Sequence, residues 1–192
     1  MVLVIARHAG PTIKGEVTLL ITTSWFFIFC SNILGGQALV YLIPRNKIEL
    51  LTVPAYFWSI IVAIVGFIFL KSSSVIQTQH ITSIVVLSLL YSIITIHQTI
   101  LLAKKQISSA NIIKIVALLI QAVGIVICFY CWQINSAFAY IYASLVAYSF
   151  TLVLSWFMIK PIVPLKNFLS GFSFSDLKVS FSYGFLYQIV EL

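Results

Sequence analysis

Charged residues are scarce in this chain, and acidic residues are the scarcest of all. Only 8% of its 192 residues are charged, and four are Asp or Glu. The chain has no carboxylate pair, no Ser, His and Asp set that spacing would support, and no glycine-rich phosphate loop. With these patterns absent, we expect a protein that is not an enzyme and uses no cofactor.

Cysteine and histidine are also rare, with three residues of each. His8, His80 and His97 have no spacing that would assemble a metal site, so we predict none. Cys128 and Cys131 form a Cys-x-x-Cys pattern, but they lie in an apolar, aromatic segment rather than a soluble redox domain. We therefore interpret them as free thiols that pack as small apolar side chains.

Apolar residues are abundant instead. They make up 61% of the chain, and the mean hydropathy is +1.12, which a water-exposed surface would not tolerate. A helix needs about 20 residues to cross a hydrocarbon core of roughly 30 Å. Five segments reach that length: 16–44, 50–70, 81–103, 109–132 and 136–159. The sequence predicts an all-α, polytopic transmembrane helical bundle in which residues 1–192 form one membrane domain.

The two ends of the chain are apolar but short. As helices, residues 1–6 would rise about 9 Å and residues 181–192 about 18 Å, so neither crosses a bilayer alone. We predict a partial helix at each end. The alternative is that both end segments lie in the membrane interface.

Basic residues are unevenly distributed between the two sides of the predicted bundle. If the spans alternate in direction, eight of the 11 Lys and Arg face one side. These are Arg45, Lys47, Lys104, Lys105, Lys114, Lys160, Lys166 and Lys178. Because loops rich in Lys and Arg stay in the cytoplasm, residues 45–49, 104–108 and 160–180 are predicted to be cytoplasmic. The net charge of +7 then reflects topology and contact with anionic membrane lipids, and nucleic acid is not an expected partner.

The connection at residues 160–180 is the longest of the predicted cytoplasmic loops. It contains prolines, several serines and the aromatic residues Phe168, Phe172 and Phe174. This composition favours an amphipathic segment that lies on the membrane surface over a disordered linker.

Polar residues inside the spans are costly in hydrocarbon, so they are expected to face the bundle interior or a hydrated cavity. They are Asn32, Gln37, His97, Gln98, Lys114 and Gln121, with Glu191 in the last segment. Lys114 either extends to the interface or lines a pathway, and His97 and Gln98 lie close enough to Lys104 to be interfacial too. Asn32 and Gln37 serve either helix pairing or substrate contact.

Small residues and prolines indicate packing and turns. Gly10, Pro11 and Gly15 are predicted to form a tight outer turn that joins two helices. At the other end of the first span, Gly35 and Gly36 are predicted to let helix backbones approach.

Two prolines lie on either side of the first predicted cytoplasmic loop. Pro44 and Pro54 are both expected at helix ends, where a missing amide donor costs little.

These features together resemble a known family. Residues 5–11 (Ile-Ala-Arg-His-Ala-Gly-Pro), 14–16 (Lys-Gly-Glu) and 35–45 resemble the start of Wzx-type polysaccharide biosynthesis flippases, in the multidrug/oligosaccharidyl-lipid/polysaccharide exporter superfamily. In that family an Ala-Arg-x-x-Gly-Pro-x-x-x-Gly pattern joins the first two helices. Here Arg7, Gly10, Pro11 and Gly15 occupy the matching positions, followed by the small residues at 35–38.

The specific motif covers residues 5–45, whereas the spacing of the spans is similar to one lobe of the family along the whole chain. Members carry twelve to fourteen helices in two lobes, and this chain would supply the end of helix one, helices two to six and the start of helix seven. The resemblance therefore implies a missing second lobe or partner chain, without which this polypeptide should not transport.

The resemblance also implies a function. Its members move an undecaprenyl-diphosphate-linked oligosaccharide across the bacterial inner membrane by alternating access around a cationic cavity. Arg7 and Lys114 would then attract the diphosphate, and Asn32, Gln37 and Gln121 would face the sugars. For Arg7, an outer-loop anchor paired with Glu16 is an equal alternative.

Three other functions stay open. An accessory multi-span subunit would need no cavity of its own. A membrane-embedded polysaccharide polymerase or ligase usually has a large outer loop, and every outer loop here is short. A multidrug antiporter of the same superfamily couples to ions through intramembrane acids, and here Glu16 at the edge of a span is the one acid in the five spans.

Overall fold

Helices account for almost all of the chain that the structure describes. The computed structural model describes residues 2–44, 48–73, 76–134, 136–163 and 181, with side chains omitted for residues 2–9 and 49. The helices are α1 (Val2–Gly35), α2 (Gln37–Leu42), α3 (Ile48–Ser73), α4 (Thr78–Ala103), α5 (Ile107–Tyr130) and α6 (Phe138–Ile159). No strand occurs within these ranges, and the predicted all-α bundle is confirmed.

Five of these helical segments are long and apolar enough to cross a membrane. They are Gly10–Leu42, Leu50–Ser73, Thr78–Ala103, Ile107–Tyr130 and Phe138–Ile159. They agree closely with the predicted spans, and the largest difference is that the first begins at Gly10 instead of residue 16. The chain is therefore a multi-pass membrane protein. Most of the predicted connection at 160–180 and of the partial helix at 181–192 lies outside the described residues.

The predicted outer turn is a single-residue break at Gly10. Gly10 has φ +81° and ψ 172°, which separates α1 into a short helix before it and a long helix after it. An added Cβ would meet nothing within 4 Å, so glycine is favoured here by the backbone conformation and not by lack of space. Pro11 follows directly, and its fixed φ suits the first position of a helix.

The turn does not extend to Gly15, contrary to the prediction. Gly15 lies inside the regular part of α1. Because Pro11 already restarts the helix, Gly15 weakens the helix by only about 1 kcal/mol relative to alanine and does not break it.

The first span ends at a pair of glycines and a proline. A Cβ on Gly35 would lie 2.8 Å from Cγ1 of Ile96 on α4, so α1 and α4 approach closely there. Gly36 is the bend between α1 and α2, and its amide donates to the Asn32 carbonyl at 2.9 Å. Pro44 lies in the exposed turn that follows α2.

Pro54 does not mark a helix end, so that prediction was wrong. It lies inside α3, which already begins at Ile48. Membrane helices tolerate an internal proline where neighbouring groups satisfy the freed backbone.

Helix α4 is the centre of the bundle. It packs against α1, α2, α3, α5 and α6, and Ile84, Ile96, Ile100 and Leu101 on it are fully buried. Helices α5 and α6 form the most extensive pair, with Gly124 so close to Ala143 that an added Cβ would lie 3.1 Å from the alanine Cβ. By contrast, α1 and α5 are not among the described helices that pack extensively together.

A tight turn joins α4 to α5. The Gln106 amide donates to the Leu101 carbonyl at 2.9 Å, and the Lys105 amide donates to the Leu102 carbonyl at 2.9 Å. These two bonds define a Schellman motif, whose C′ position requires a left-handed residue. Lys105 occupies that position with φ +61°, where glycine is the usual residue.

Replacing Lys105 with glycine should therefore stabilise the protein. Lys105→Gly removes the left-handed strain of a side chain, about 1 kcal/mol, and should raise the midpoint of thermal unfolding in detergent. Lys104→Gly is the matched control, because it removes the same charge at a residue with φ −88°. Equal midpoints for the two variants would contradict this account of the turn.

Candidate functional site

A cavity of about 270 Å³ lies between α1, α4, α5 and α6. Its volume is close to the lower end of the range of about 300–1,000 Å³ that is typical of ligand pockets. It is lined by Ile21, Trp25, Tyr91, Gln98, Lys114, Ala117, Leu118, Gln121, Tyr140 and Tyr148. A smaller void of about 20 Å³ adjoins it and shares five of these residues.

Each helix contributes one face to the cavity. On α5, Lys114, Ala117, Leu118 and Gln121 follow the i, i+3, i+4, i+7 spacing that places side chains on one side of a helix. Lys114 lies about 10 Å along α5 from Ile107, so its Cα is inside the span and not at its edge.

The other three helices contribute aromatic side chains and one amide. Tyr140 and Tyr148 lie about two turns apart on α6, and Tyr91 and Gln98 lie about two turns apart on α4. Trp25 completes the lining from α1.

The cavity opens sideways between α1 and α5. Its most exposed lining residues are Trp25 on α1, at 57%, and Leu118 on α5, at 63%, and Lys114 is also exposed. Gln98 on α4 and Gln121 on α5 are buried. Since α1 and α5 both pack on α4 but not extensively on each other, α4 forms the floor of this opening.

A hydrogen-bonded cluster joins α5 to α6 along one wall. The Gln121 amide nitrogen donates to the Ser144 hydroxyl at 2.6 Å. The Tyr140 side chain, which interacts with Ser144, Gln121 and Tyr148, lies beside this pair. Polar groups in hydrocarbon must find such partners, so this cluster fixes the Gln121 side chain at the cavity wall.

Aromatic side chains from α1, α4 and α6 line another side of the cavity. The ring centroids of Trp25 and Tyr91 are 5.9 Å apart, and those of Tyr91 and Tyr148 are 5.2 Å apart, both in tilted arrangements. These spacings are those of favourable aromatic pairs. Trp25, Tyr91 and Tyr148 therefore form one continuous surface, which is called the aromatic wall below.

The chemistry of the lining determines which contacts it could offer a ligand. Lys114 is the one charged residue among the lining residues, so the cavity attracts an anion and disfavours a cation. Amide and phenol groups offer hydrogen bonds, and aromatic rings offer an apolar surface. A ligand that combines a phosphate with sugar rings would use all of these groups, because a sugar ring has both hydroxyl groups and an apolar C–H face.

Two of the five predicted substrate-binding residues, Lys114 and Gln121, lie in the cavity. Asn32 is outside its lining, two turns beyond Trp25 on α1, and its Oδ1 is buried with no partner among the described atoms. Gln37 is exposed in α2, also outside the lining. The Arg7 side chain lies outside the described part of the structure.

Sequence reasoning missed the aromatic residues of the cavity. Tyr140, Ser144 and Tyr148 recur every fourth residue in this span, and that spacing was a usable signal. Gln98, treated as a possible interfacial residue, lines the cavity. The missing information was which helices are neighbours.

Cysteine and histidine residues in the described ranges do not assemble into a metal site. No three His, Cys, Asp or Glu side chains come together among those residues. Cys128 is buried, Cys131 is exposed, Cys30 is half-buried, and all three thiols are free.

The chain matches no protein-family model, no curated protein and no solved structure.

The contact between Gln121 and Ser144 should be measurable as a coupling energy. Gln121→Ala and Ser144→Ala should each destabilise the protein, and the double variant should cost about 0.6–1.7 kcal/mol less than the sum. Unfolding in detergent measures each free energy. Gln121→Ala combined with Ser59→Ala is the control, since Ser59 is buried on α3 and donates to its own Ala55 carbonyl. Additivity in both cycles would show that the Gln121 contact contributes nothing.

Proposed function

We propose that this chain is one lobe of a membrane transporter that moves an undecaprenyl-diphosphate-linked oligosaccharide across the bacterial inner membrane for polysaccharide biosynthesis. The observation that supports this most strongly is the laterally open cavity, which places a single cation, two amides and an aromatic wall inside membrane-spanning helices. The likeness of residues 5–45 to Wzx-type flippases supports the same proposal.

Transport of such a lipid has two opposing requirements. The charged, sugar-bearing head group needs a polar path, and the polyprenyl tail must stay in hydrocarbon. A cavity that opens sideways between α1 and α5 meets both requirements, because a head group can enter it from the bilayer while the tail stays outside.

Lys114 is proposed to bind the diphosphate. A charge-assisted hydrogen bond to a phosphate oxygen is roughly twice as strong as a neutral one, and low-dielectric surroundings strengthen it further. Gln98 and Gln121 are proposed to accept and donate hydrogen bonds with sugar hydroxyls, and the aromatic wall is proposed to pack against the C–H face of a sugar ring.

Transport itself is proposed to require a second lobe or a partner chain. The cavity has walls on α1, α4, α5 and α6 and an open side. In alternating access, an opposing lobe would cover the open side in one state and expose it in the other.

Removal of the Lys114 charge should weaken binding of the phosphorylated lipid. We expect Lys114→Ala to raise the Kd for an undecaprenyl-diphosphate-linked monosaccharide by about tenfold or more, since hydrogen bonds to charged groups contribute about 1.5–3 kcal/mol. Native mass spectrometry of the chain in nanodiscs measures this. Lys104→Ala is the matched control, because Lys104 is exposed and outside the cavity.

Undecaprenol provides a second control, because it has the tail but neither phosphate nor sugar. The wild-type chain should bind it weakly, and Lys114→Ala should leave that binding unchanged. Equal losses for Lys114→Ala and Lys104→Ala would contradict the proposal and favour the accessory-subunit alternative.

The proposed orientation can be tested with a native thiol. Cys131 is exposed just after α5, at the opposite end of that helix from the Lys104 and Lys105 turn. With that turn in the cytoplasm, a membrane-impermeant maleimide should label Cys131 from outside spheroplasts. Cys131→Ser should abolish the labelling. Labelling of Cys131 only after permeabilisation would invert the orientation.

A further inference from the structure

His97 is a fully buried titratable residue that the cavity does not use. It lies on α4, six residues before Ala103, and it is 0% exposed. Its neighbours come from two other helices. Ser155 and Trp156 approach from α6, and Tyr56 on α3 has its ring edge-on to the imidazole at a centroid distance of 5.8 Å.

The hydrogen bonds around Ser155 determine which imidazole nitrogen carries the hydrogen. His97 Nδ1 and Ser155 Oγ are 2.6 Å apart. The Ser155 hydroxyl donates its one hydrogen to the Leu152 carbonyl at 2.8 Å. Ser155 can therefore only accept from His97, so Nδ1 is the protonated nitrogen.

The other nitrogen is left as a bare acceptor. Nε2 is buried and has no hydrogen-bond partner among the described atoms. A buried imidazole nitrogen without a donor is a base that the surrounding packing leaves unsatisfied.

Among the described residues around His97, no acidic group would balance the positive charge of a ring protonated on Nε2. No Asp or Glu occurs in α2, α4, α5 or α6. Lys14 and Glu16 lie near the start of α1, whereas α1 contacts Ile96, the neighbour of His97, at its other end through Gly35. The cation Lys114 on α5 lines the cavity beside Gln98. On α3, Tyr56 faces the ring, and Glu49 lies two turns earlier with its side chain outside the described part.

We infer that His97 is a proton-binding site whose occupancy is coupled to the packing of α4 against α3 and α6. In the packed arrangement a protonated ring would carry an unpaired charge and a second N–H without an acceptor. Water reaches Nε2 only when these helices separate, so proton uptake from water favours the separated arrangement.

The position of His97 connects this site to the cavity. Successive residues on a helix point about 100° apart, so His97 faces α3 and α6 while Gln98 faces the cavity. A change in α4 packing at His97 therefore displaces the cavity floor. This inference does not depend on the identity of the transported lipid.

The protonation state can be observed directly in the full chain. Solid-state NMR of ¹⁵N-histidine-labelled protein in lipid bilayers reports which nitrogens of each imidazole ring carry hydrogen. The His8→Gln and His80→Gln variants identify the signals that belong to His97. At about pH 8 we expect His97 to be neutral with hydrogen on Nδ1. Ser155→Ala should abolish that tautomer preference, and Ser155→Thr should preserve it. A hydrogen on Nε2 in the wild type would overturn the inference.

The coupling is tested by hydrogen exchange of residues 94–101, with rates corrected for the intrinsic effect of pH. Between about pH 8 and pH 5 we expect exchange in the wild type to rise by about tenfold or more, because only the separated arrangement binds the proton with the ordinary pKa of histidine in water, about 6.5. His97→Gln should lose this dependence, and His80→Gln should retain it. Protonation of His97 without faster exchange, or faster exchange that persists in His97→Gln, would overturn the inference.

These outcomes are separate from those for the proposed function. The NMR and exchange measurements use no lipid-linked sugar, so the His97 site can hold when Lys114 does not bind phosphate. Conversely, the affinity for the undecaprenyl-diphosphate-linked monosaccharide can depend on Lys114 and yet be the same at about pH 8 and pH 5. That result would support the proposed cargo and contradict the coupling of His97 to the cavity.

Discussion

The structure depends on the requirement that polar groups inside a hydrocarbon layer find partners within the protein, and Oδ1 of Asn32 and Nε2 of His97 are exceptions to it. Hydroxyl side chains meet it locally, because Thr52, Ser59 and Thr151 each donate to the carbonyl four residues earlier in the same helix. Such residues can be buried anywhere in a bundle without specifying a neighbour. These residues pack in the helix interfaces without forming a binding site.

Longer polar side chains do not bond to a carbonyl of their own helix in this way, so they take partners from other helices. Gln121 requires Ser144 on the next helix, and His97 requires Ser155 on the same helix, α6. Gln98 and Lys114 are brought instead to a cavity that can hold water or ligand. These four side chains are therefore accommodated between helices and not within a single helix.

Small residues explain why the opening lies where it does. Gly35 brings α1 onto α4 at Ile96, Gly66 brings α3 onto Phe27 of α1, and Gly124 brings α5 onto α6 at Ala143. None of the three draws α1 towards α5. The larger Trp25 and Leu118 face the gap instead, so the cavity opens between the two helices that lack a close contact.

The sequence was sufficient for features that depend on local chemistry. Apolar length predicted the five spans, and Gly10 followed by Pro11 predicted the break near the start of the first. It was also sufficient to identify Lys114 and Gln121 as candidates, because polar residues inside a span are costly in hydrocarbon. It was not sufficient to unite them with Tyr91, Tyr140 and Trp25, because helix neighbours are set by contacts distant in sequence. The same limit explains why His97 and Gln98, for which an interfacial position was one alternative, have different surroundings. Adjacent residues on a helix in the middle of a bundle face different partners, so a change felt by one is transmitted to the other only through movement of the helix itself.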